Sequence, residues 1–127
     1  MRILGHGIDL VECGRIAAMQ ARHGDRFLQR ILTAWEQSYI ARFQDPTQRI
    51  AGRFAAKEAV LKMMGTGWVG RIAWTDIEVF NDSAGAPAVR LSGECARIAE
   101  SRGITQILLS ITHTPAFAAA SAVGTGD

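Results

Sequence analysis

Apolar and polar positions change their spacing along this chain, which divides it into a helical first half and a strand-rich second half. Residues 2–11, Arg2-Ile3-Leu4-Gly5-His6-Gly7-Ile8-Asp9-Leu10-Val11, read as a strand. Its two glycines are unusual there and predict a bulge or a second backbone lying close by. A helix is expected over 13–22, stopped by Gly24, and a shorter one over 25–31. Thr33-Ala34-Trp35-Glu36 fits a capping box, in which the Thr hydroxyl and the Glu carboxylate each satisfy an orphan backbone amide. The helix it opens is expected to reach about Phe43, with a turn at Gln44-Asp45-Pro46. A longer helix follows over 47–64, with Ile50, Phe54, Leu61 and Met64 on one face and Gly65-Thr66-Gly67 at its end.

From residue 72 the pattern alternates. It predicts a strand over 72–80, a turn over 81–85 and a return strand over 87–91, which together form a hairpin. Ser92 is placed to cap a short helix over 93–102 that Gly103 ends. Two further strands are expected over 106–112 and 117–123, with His113-Thr114-Pro115 between them and the last four residues frayed. Helices early and antiparallel strands late argue for an α+β fold rather than a doubly wound parallel sheet. No repeat, linker or low-complexity tract marks a boundary, so residues 1–127 are expected to form one small domain.

Composition narrows the options. With 48% hydrophobic and 20% charged residues the chain can bury a sizeable core. A domain of 127 residues still exposes much of its surface, and a deep substrate site calls for a second copy to complete it. The net charge of +2 and the absence of a basic run argue against nucleic acid as a partner. Both lysines of the chain, Lys57 and Lys62, flank Glu58, and the other basic residues are arginines. Cys13 and Cys95 lack metal-binding spacing, which argues against a zinc site. They allow one disulfide but read more simply as free thiols of a reducing compartment. Asp9 and Glu12 interrupt any signal-peptide core, and no apolar run approaches the length of a membrane span. The expectation is a soluble, cytoplasmic protein with no membrane contact.

Four groups of residues carry chemistry. Asp9, on a strand beside small residues, suits a hard cation such as Mg²⁺, or else caps the following helix. Glu58 and Lys62 lie four apart on one helix face, near the apolar stripe and just before the glycine-rich exit. They form either an ordinary surface pair or part of a site in which that exit offers backbone amides to phosphate oxygens. His113 follows a strand, as a functional group or as a turn histidine with no partner. Arg15, Arg22, Arg26 and Arg30 form a solvated helix face or a docking surface for an acidic partner. His6 and His23 are assigned no role.

The elements GIDLVECGRI (7–16), RFAAKEAVLKMMGTG (53–67), Trp74-Thr75-Asp76-Ile77-Glu78-Val79, Gly85-Ala86-Pro87 and Ser110-Ile111-Thr112-His113 stand in one order over nearly the whole chain. In this the sequence closely resembles the holo-[acyl carrier protein] synthase type of the 4'-phosphopantetheinyl transferase superfamily. The resemblance implies transfer of the 4'-phosphopantetheine arm of coenzyme A to a serine of apo acyl carrier protein. Adenosine 3',5'-bisphosphate is released, Mg²⁺ is required, and the reaction serves fatty acid biosynthesis. It also implies that Asp9 and Glu58 bind the metal, so that the long helix must pack on the first strand. Lys62 would stabilise the transferred phosphoryl group or protonate the leaving oxygen. The proton of the serine would go to Glu58 or to a water on the metal. Arg53, Lys62, Gly65, Thr66, Pro87 and His113 are expected around coenzyme A. Arg15 and Arg22 are expected to dock the acidic carrier, ahead of Arg26 and Arg30. The assembly implied is a homotrimer with active sites between subunits.

Two departures from the family pattern stand out. Larger superfamily members carry a second carboxylate two residues after the first aspartate, where this chain has Val11, so a water would complete the coordination. Thr112 replaces a serine before His113 and keeps the hydroxyl. The competing reading is a non-catalytic trimeric domain that binds coenzyme A or a nucleotide. The combination of Asp9, Glu58 and Lys62 speaks against it.

Overall fold

The computed structural model describes residues 1–68 and 70–127. Strand β1 (Arg2–Glu12) leads into helices α1 (Cys13–His23), α2 (Asp25–Ile31), α3 (Ala34–Ile40) and α4 (Thr47–Met64). A 3-10 turn at Trp74–Asp76 precedes the hairpin of β2 (Ile77–Asn81) and β3 (Pro87–Leu91). Helix α5 (Gly93–Ser101) and strands β4 (Gln106–His113) and β5 (Phe117–Gly126) complete the chain. The main sheet has the order β1-β5-β4 and is antiparallel throughout, so the fold is α+β.

Helix α4 is the centre of the molecule. From Ile50 to Met64 every residue is buried except Glu58 and Lys62. The single apolar face expected from Ile50, Phe54, Leu61 and Met64 therefore understates it: this helix is enclosed on nearly all sides, as a core helix should be. It lies across β1 and β5 because both surfaces are built from small residues. Ala51, Ala55 and Ala59 recur every four positions on α4, and Ala118, Ala120 and Ala122 line the inner face of β5. A β-carbon on Gly5 would collide with the Met63 carbonyl, and one on Gly7 with the Ala59 carbonyl. The glycines of β1 are thus the close backbone approach that their position predicts, and β1 also bulges between Ile3 and Gly5. Ile16, Leu32, Ile50, Val60, Leu61, Ile77 and Val79 complete the core at 1% exposure or less. Each contributes roughly 1.5–3 kcal/mol by leaving water.

Several boundaries differ from expectation. The strand expected over 72–80 begins only at Ile77, because Asp76 folds back to accept the Ala73 amide and forms the 3-10 turn. Helix α3 stops at Ile40 rather than Phe43, the chain turning on bonds from Arg42 and Phe43 to Tyr39 and Ile40. Ser92 occupies the N-cap of α5 without a side-chain cap; its amide donates to the Asp76 carbonyl. The last residues do not fray. Strand β5 runs to Gly126, pairing with Arg2, and Thr125 is buried between β1 and β4. A terminal strand in the middle of a sheet is tied down on both edges, which end effects alone do not anticipate.

Candidate active site

The register of α4 on β1 brings distant residues together. Gly5 faces Met63 and Gly7 faces Ala59, so strand and helix run in opposite directions. Two strand residues advance about 6.6 Å and four helix residues about 6 Å. Asp9 therefore falls level with Ala55, the first residue of the turn that ends at Glu58. It lies on the inner face of the sheet, in one row with Ala120 and Ile111. Lys62 reaches back along the helix, as long helical side chains do, and its Nζ donates to Asp9 Oδ1 at 3.0 Å and to the Ile8 carbonyl at 3.1 Å. The i,i+4 pair of Glu58 and Lys62 does not form. Lys62 is bonded to Asp9 instead, and Glu58 Oε1 accepts from the Trp68 indole Nε1 at 3.0 Å. Asp9 does not cap α1, whose N-cap is Glu12 with no side-chain cap.

Glu58 opens into a cleft of about 670 Å³ between α1, α2 and α4. Phe54, Trp74 and Trp68 form one wall, with ring centroids 4.9 Å and 4.0 Å apart along the stack. Arg15, Arg26 and Arg30 stand around it, the Arg15 guanidinium 5.7 Å from the Phe54 ring centroid. Among the described residues Arg22 does not line this cleft, while Arg26 and Arg30 do.

The other predicted residues gather elsewhere. Arg53 is buried: Nη2 donates to Asn81 Oδ1 at 3.2 Å and the guanidinium lies 4.3 Å from the Tyr39 ring centroid. Burial lowers its pKa, and its Nε has no hydrogen-bond partner among the described residues. Asn81, the partner of Arg53, pairs across the hairpin with Pro87. His113 Nδ1 and Gln48 Oε1 are 2.7 Å apart, which gives this histidine a partner at the start of α4. Arg53 is thus engaged by Asn81 and His113 by Gln48, while Lys62 is engaged by Asp9 and Glu58 by Trp68. Gly65 takes the left-handed conformation that ends α4. Its amide donates to Leu61 and Lys62, and the Thr66 amide donates to Leu61, as in a Schellman motif. These two amides are taken up by the helix end.

Two features escape sequence reasoning. Lys57 Nζ, fully buried, donates to Glu36 Oε1 at 2.7 Å and to the carbonyls of Ile31 at 2.5 Å and Trp74 at 3.2 Å. Burial lowers the Lys57 pKa while Glu36 opposes that shift. Trp68 is the other, its only signal being a tryptophan directly after the glycine turn.

A conserved-family model described as the 4'-phosphopantetheinyl transferase superfamily matches residues 5–118. The chain belongs to that superfamily and is an enzyme of that class. A holo-[acyl-carrier-protein] synthase of Solibacter usitatus is 46% identical over 121 residues, covering 95% of this chain and 97% of the relative. The crystal structure of the Neisseria meningitidis holo-[acyl-carrier-protein] synthase superposes with a TM-score of 0.90 at 31% identity, covering 98% of this chain and 99% of that one. That of a Bacillus anthracis holo-(acyl-carrier-protein) synthase in complex with CoA (3',5'-ADP) gives 0.82 at 37% identity, over 98% of both chains. Within the superfamily, the chain is similar to the holo-[acyl-carrier-protein] synthases in particular.

Proposed function

We propose that the chain transfers the 4'-phosphopantetheine group of coenzyme A to a serine of an apo acyl carrier protein. The observation that carries this reading is the break in α4: an otherwise buried helix presents Glu58 and Lys62 one turn apart, with Lys62 tied to Asp9. The serine oxygen attacks the β-phosphorus of coenzyme A, the phosphorus–oxygen bond to adenosine 3',5'-bisphosphate breaks, and the serine proton passes to a base. Lys62 meets the negative charge that grows on the phosphoryl oxygens. Glu58 is the carboxylate open to the cleft and takes the proton or orients its acceptor.

Asp9 and Glu58 fit Mg²⁺. Each has one oxygen held by a donor, Lys62 or Trp68, and a second oxygen with no hydrogen bond among the described residues. Among those residues no group of three or more His, Cys, Asp or Glu gathers around a common point. Mg²⁺ binds through one or two carboxylates and fills its shell with phosphate oxygens and water. When bound, it neutralises the charge of the pyrophosphate.

Arg53 and His113 make no hydrogen bond to Asp9, Glu58 or Lys62 among the described residues, which supports a site completed by a second copy, with coenzyme A lying between the two sets. The outer face of the main sheet supports self-association. Ile8, Leu10, Leu108 and Phe117 share that face and are 45–66% exposed, a patch unusual for a monomer. This reading takes the assembly as a homotrimer of one-domain chains, 1–127. Arg15 with Arg26, Arg30 and the neighbouring Arg22 docks the acidic carrier beside Glu58. Gly65 and Thr66 act by shaping the end of α4 under the coenzyme. Among the described residues no helix is long and apolar enough to cross a membrane. Cys13 and Cys95 are free and buried, and burial pushes the Cys95 thiol up to about 12. Free thiols suit the cytoplasm, where carriers of fatty acid synthesis are modified.

The test is an intact-mass assay of the protein with coenzyme A, Mg²⁺ and an apo acyl carrier protein. One phosphopantetheine added to the carrier, and none in the presence of a chelator, is the result expected. An unmodified carrier, with coenzyme A still bound by the chain, would favour the binding-domain reading once a second, unrelated carrier had also stayed unmodified.

A further inference from the structure

We infer that Trp68 is a positioning residue for Glu58: its indole N–H fixes one carboxylate oxygen and so aims the other at the cation. The inference rests on the proposed reading of Asp9 and Glu58 as the metal-binding pair. A glutamate on a helix has three side-chain torsions, and a lone carboxylate facing a cleft samples many of them. Lys62, the natural i,i+4 partner, is turned to Asp9 and leaves Glu58 to another donor. Trp68 supplies it at 3.0 Å.

The indole is itself held in place. It lies on Trp74 at 4.0 Å between centroids, Trp74 stacks on Phe54 at 4.9 Å, and the Trp74 carbonyl accepts from Lys57. A tryptophan suits this position because it joins a large stacking face to a single edge donor. The arrangement mirrors Lys62 on Asp9: each carboxylate has one oxygen fixed by a donor from the chain. Hydrogen bonds of this kind orient a metal ligand, and their loss weakens binding typically by about 10–100-fold.

Mn²⁺ binding measured by electron paramagnetic resonance, without coenzyme A, tests the inference, alongside the indole N–H signals of ¹⁵N-labelled protein. The chain has three tryptophans, and Trp68→Phe identifies which signal belongs to residue 68. Trp68→Phe is expected to weaken Mn²⁺ binding at least tenfold while the melting temperature stays within a few degrees. Glu58→Gln is expected to remove binding and to displace the Trp68 indole signal. Wild-type affinity in Trp68→Phe, with binding lost in Glu58→Gln, overturns the inference and leaves the metal site standing. No Mn²⁺ binding by the wild-type protein overturns both. Should Trp68→Phe fail to fold, Trp35→Phe and Trp74→Phe assign the third indole signal to residue 68; its failure to respond to Glu58→Gln overturns the inference, and a shift supports it.

Discussion

Two lysines five residues apart on α4 each pair with a carboxylate, and the two pairs have opposite consequences. Lys57 and Glu36 are both 0% exposed, and every hydrogen bond of the pair runs inward. Lys57 ties the end of α2 through Ile31 and the 3-10 turn through Trp74, while Glu36 accepts from the amides of Thr33 and Val79. Lys62 and Asp9 are 54% and 15% exposed, and the lysine is free to leave its partner. One charge pair is locked by burial and serves the fold. The other is accessible and, on the proposed reading, serves chemistry. Burial and completeness of hydrogen bonding decide the role, and residue type does not.

The comparison is broken most easily on its buried side. Lys57→Met leaves Glu36 charged without its cation and frees two buried carbonyls. A loss of about 3–5 kcal/mol is expected, seen as a lower urea midpoint with an unchanged slope. Because Ile31 and Trp74 border the cleft beside Glu58, activity should fall with the folded fraction. A Lys57→Met protein as stable as wild type would remove the distinction between the two pairs.

The sequence shows why only part of this was legible. The Thr33–Glu36 capping box is readable because both partners lie within one helical turn, and both of its bonds form. Gly5 and Gly7 announce a close backbone, and α4 settles on it with Lys62 bonded to Asp9. Glu36 meets every rule for a surface capping residue, however, and its second bond, to Lys57, joins positions 21 apart. Trp68 on Glu58 and Arg53 on Asn81 are likewise contacts between elements, which period and spacing do not encode. Motif position placed Arg53 and His113 around coenzyme A, and it does not encode their partners Asn81 and Gln48.

On the open side the expectation reverses. Asp9→Asn is expected to lower turnover by about 10²–10³-fold and to leave the melting temperature within a few degrees. A rate near wild type would remove Asp9 from the metal site. Lys62→Met should reduce turnover by about 10–100-fold, since its charge is placed to meet the growing phosphoryl charge. The exposed ion pair itself is worth less than about 1 kcal/mol, so stability should barely change. A large drop in stability in Lys62→Met, measured by the same urea titration, would make this pair structural like the first.

The smallest effect is expected at the rim of the open side, where Arg15 lies over Phe54 at the mouth of the cleft. An exposed arginine steers an acidic partner chiefly through association, and the force is screened by salt. Arg15→Glu should raise the KM for the carrier about tenfold at low ionic strength and less at high salt. The KM for coenzyme A and the melting temperature should hold. Arg22→Glu should do less, because Arg22 stands outside the lining of the cleft that Arg15, Arg26 and Arg30 share. Equal losses for carrier and coenzyme A in Arg15→Glu would mean that this residue shapes the cleft through its contact with Phe54. The boundary between residues that hold the fold and residues that meet a partner would then run outside Arg15 rather than between Lys57 and Glu58.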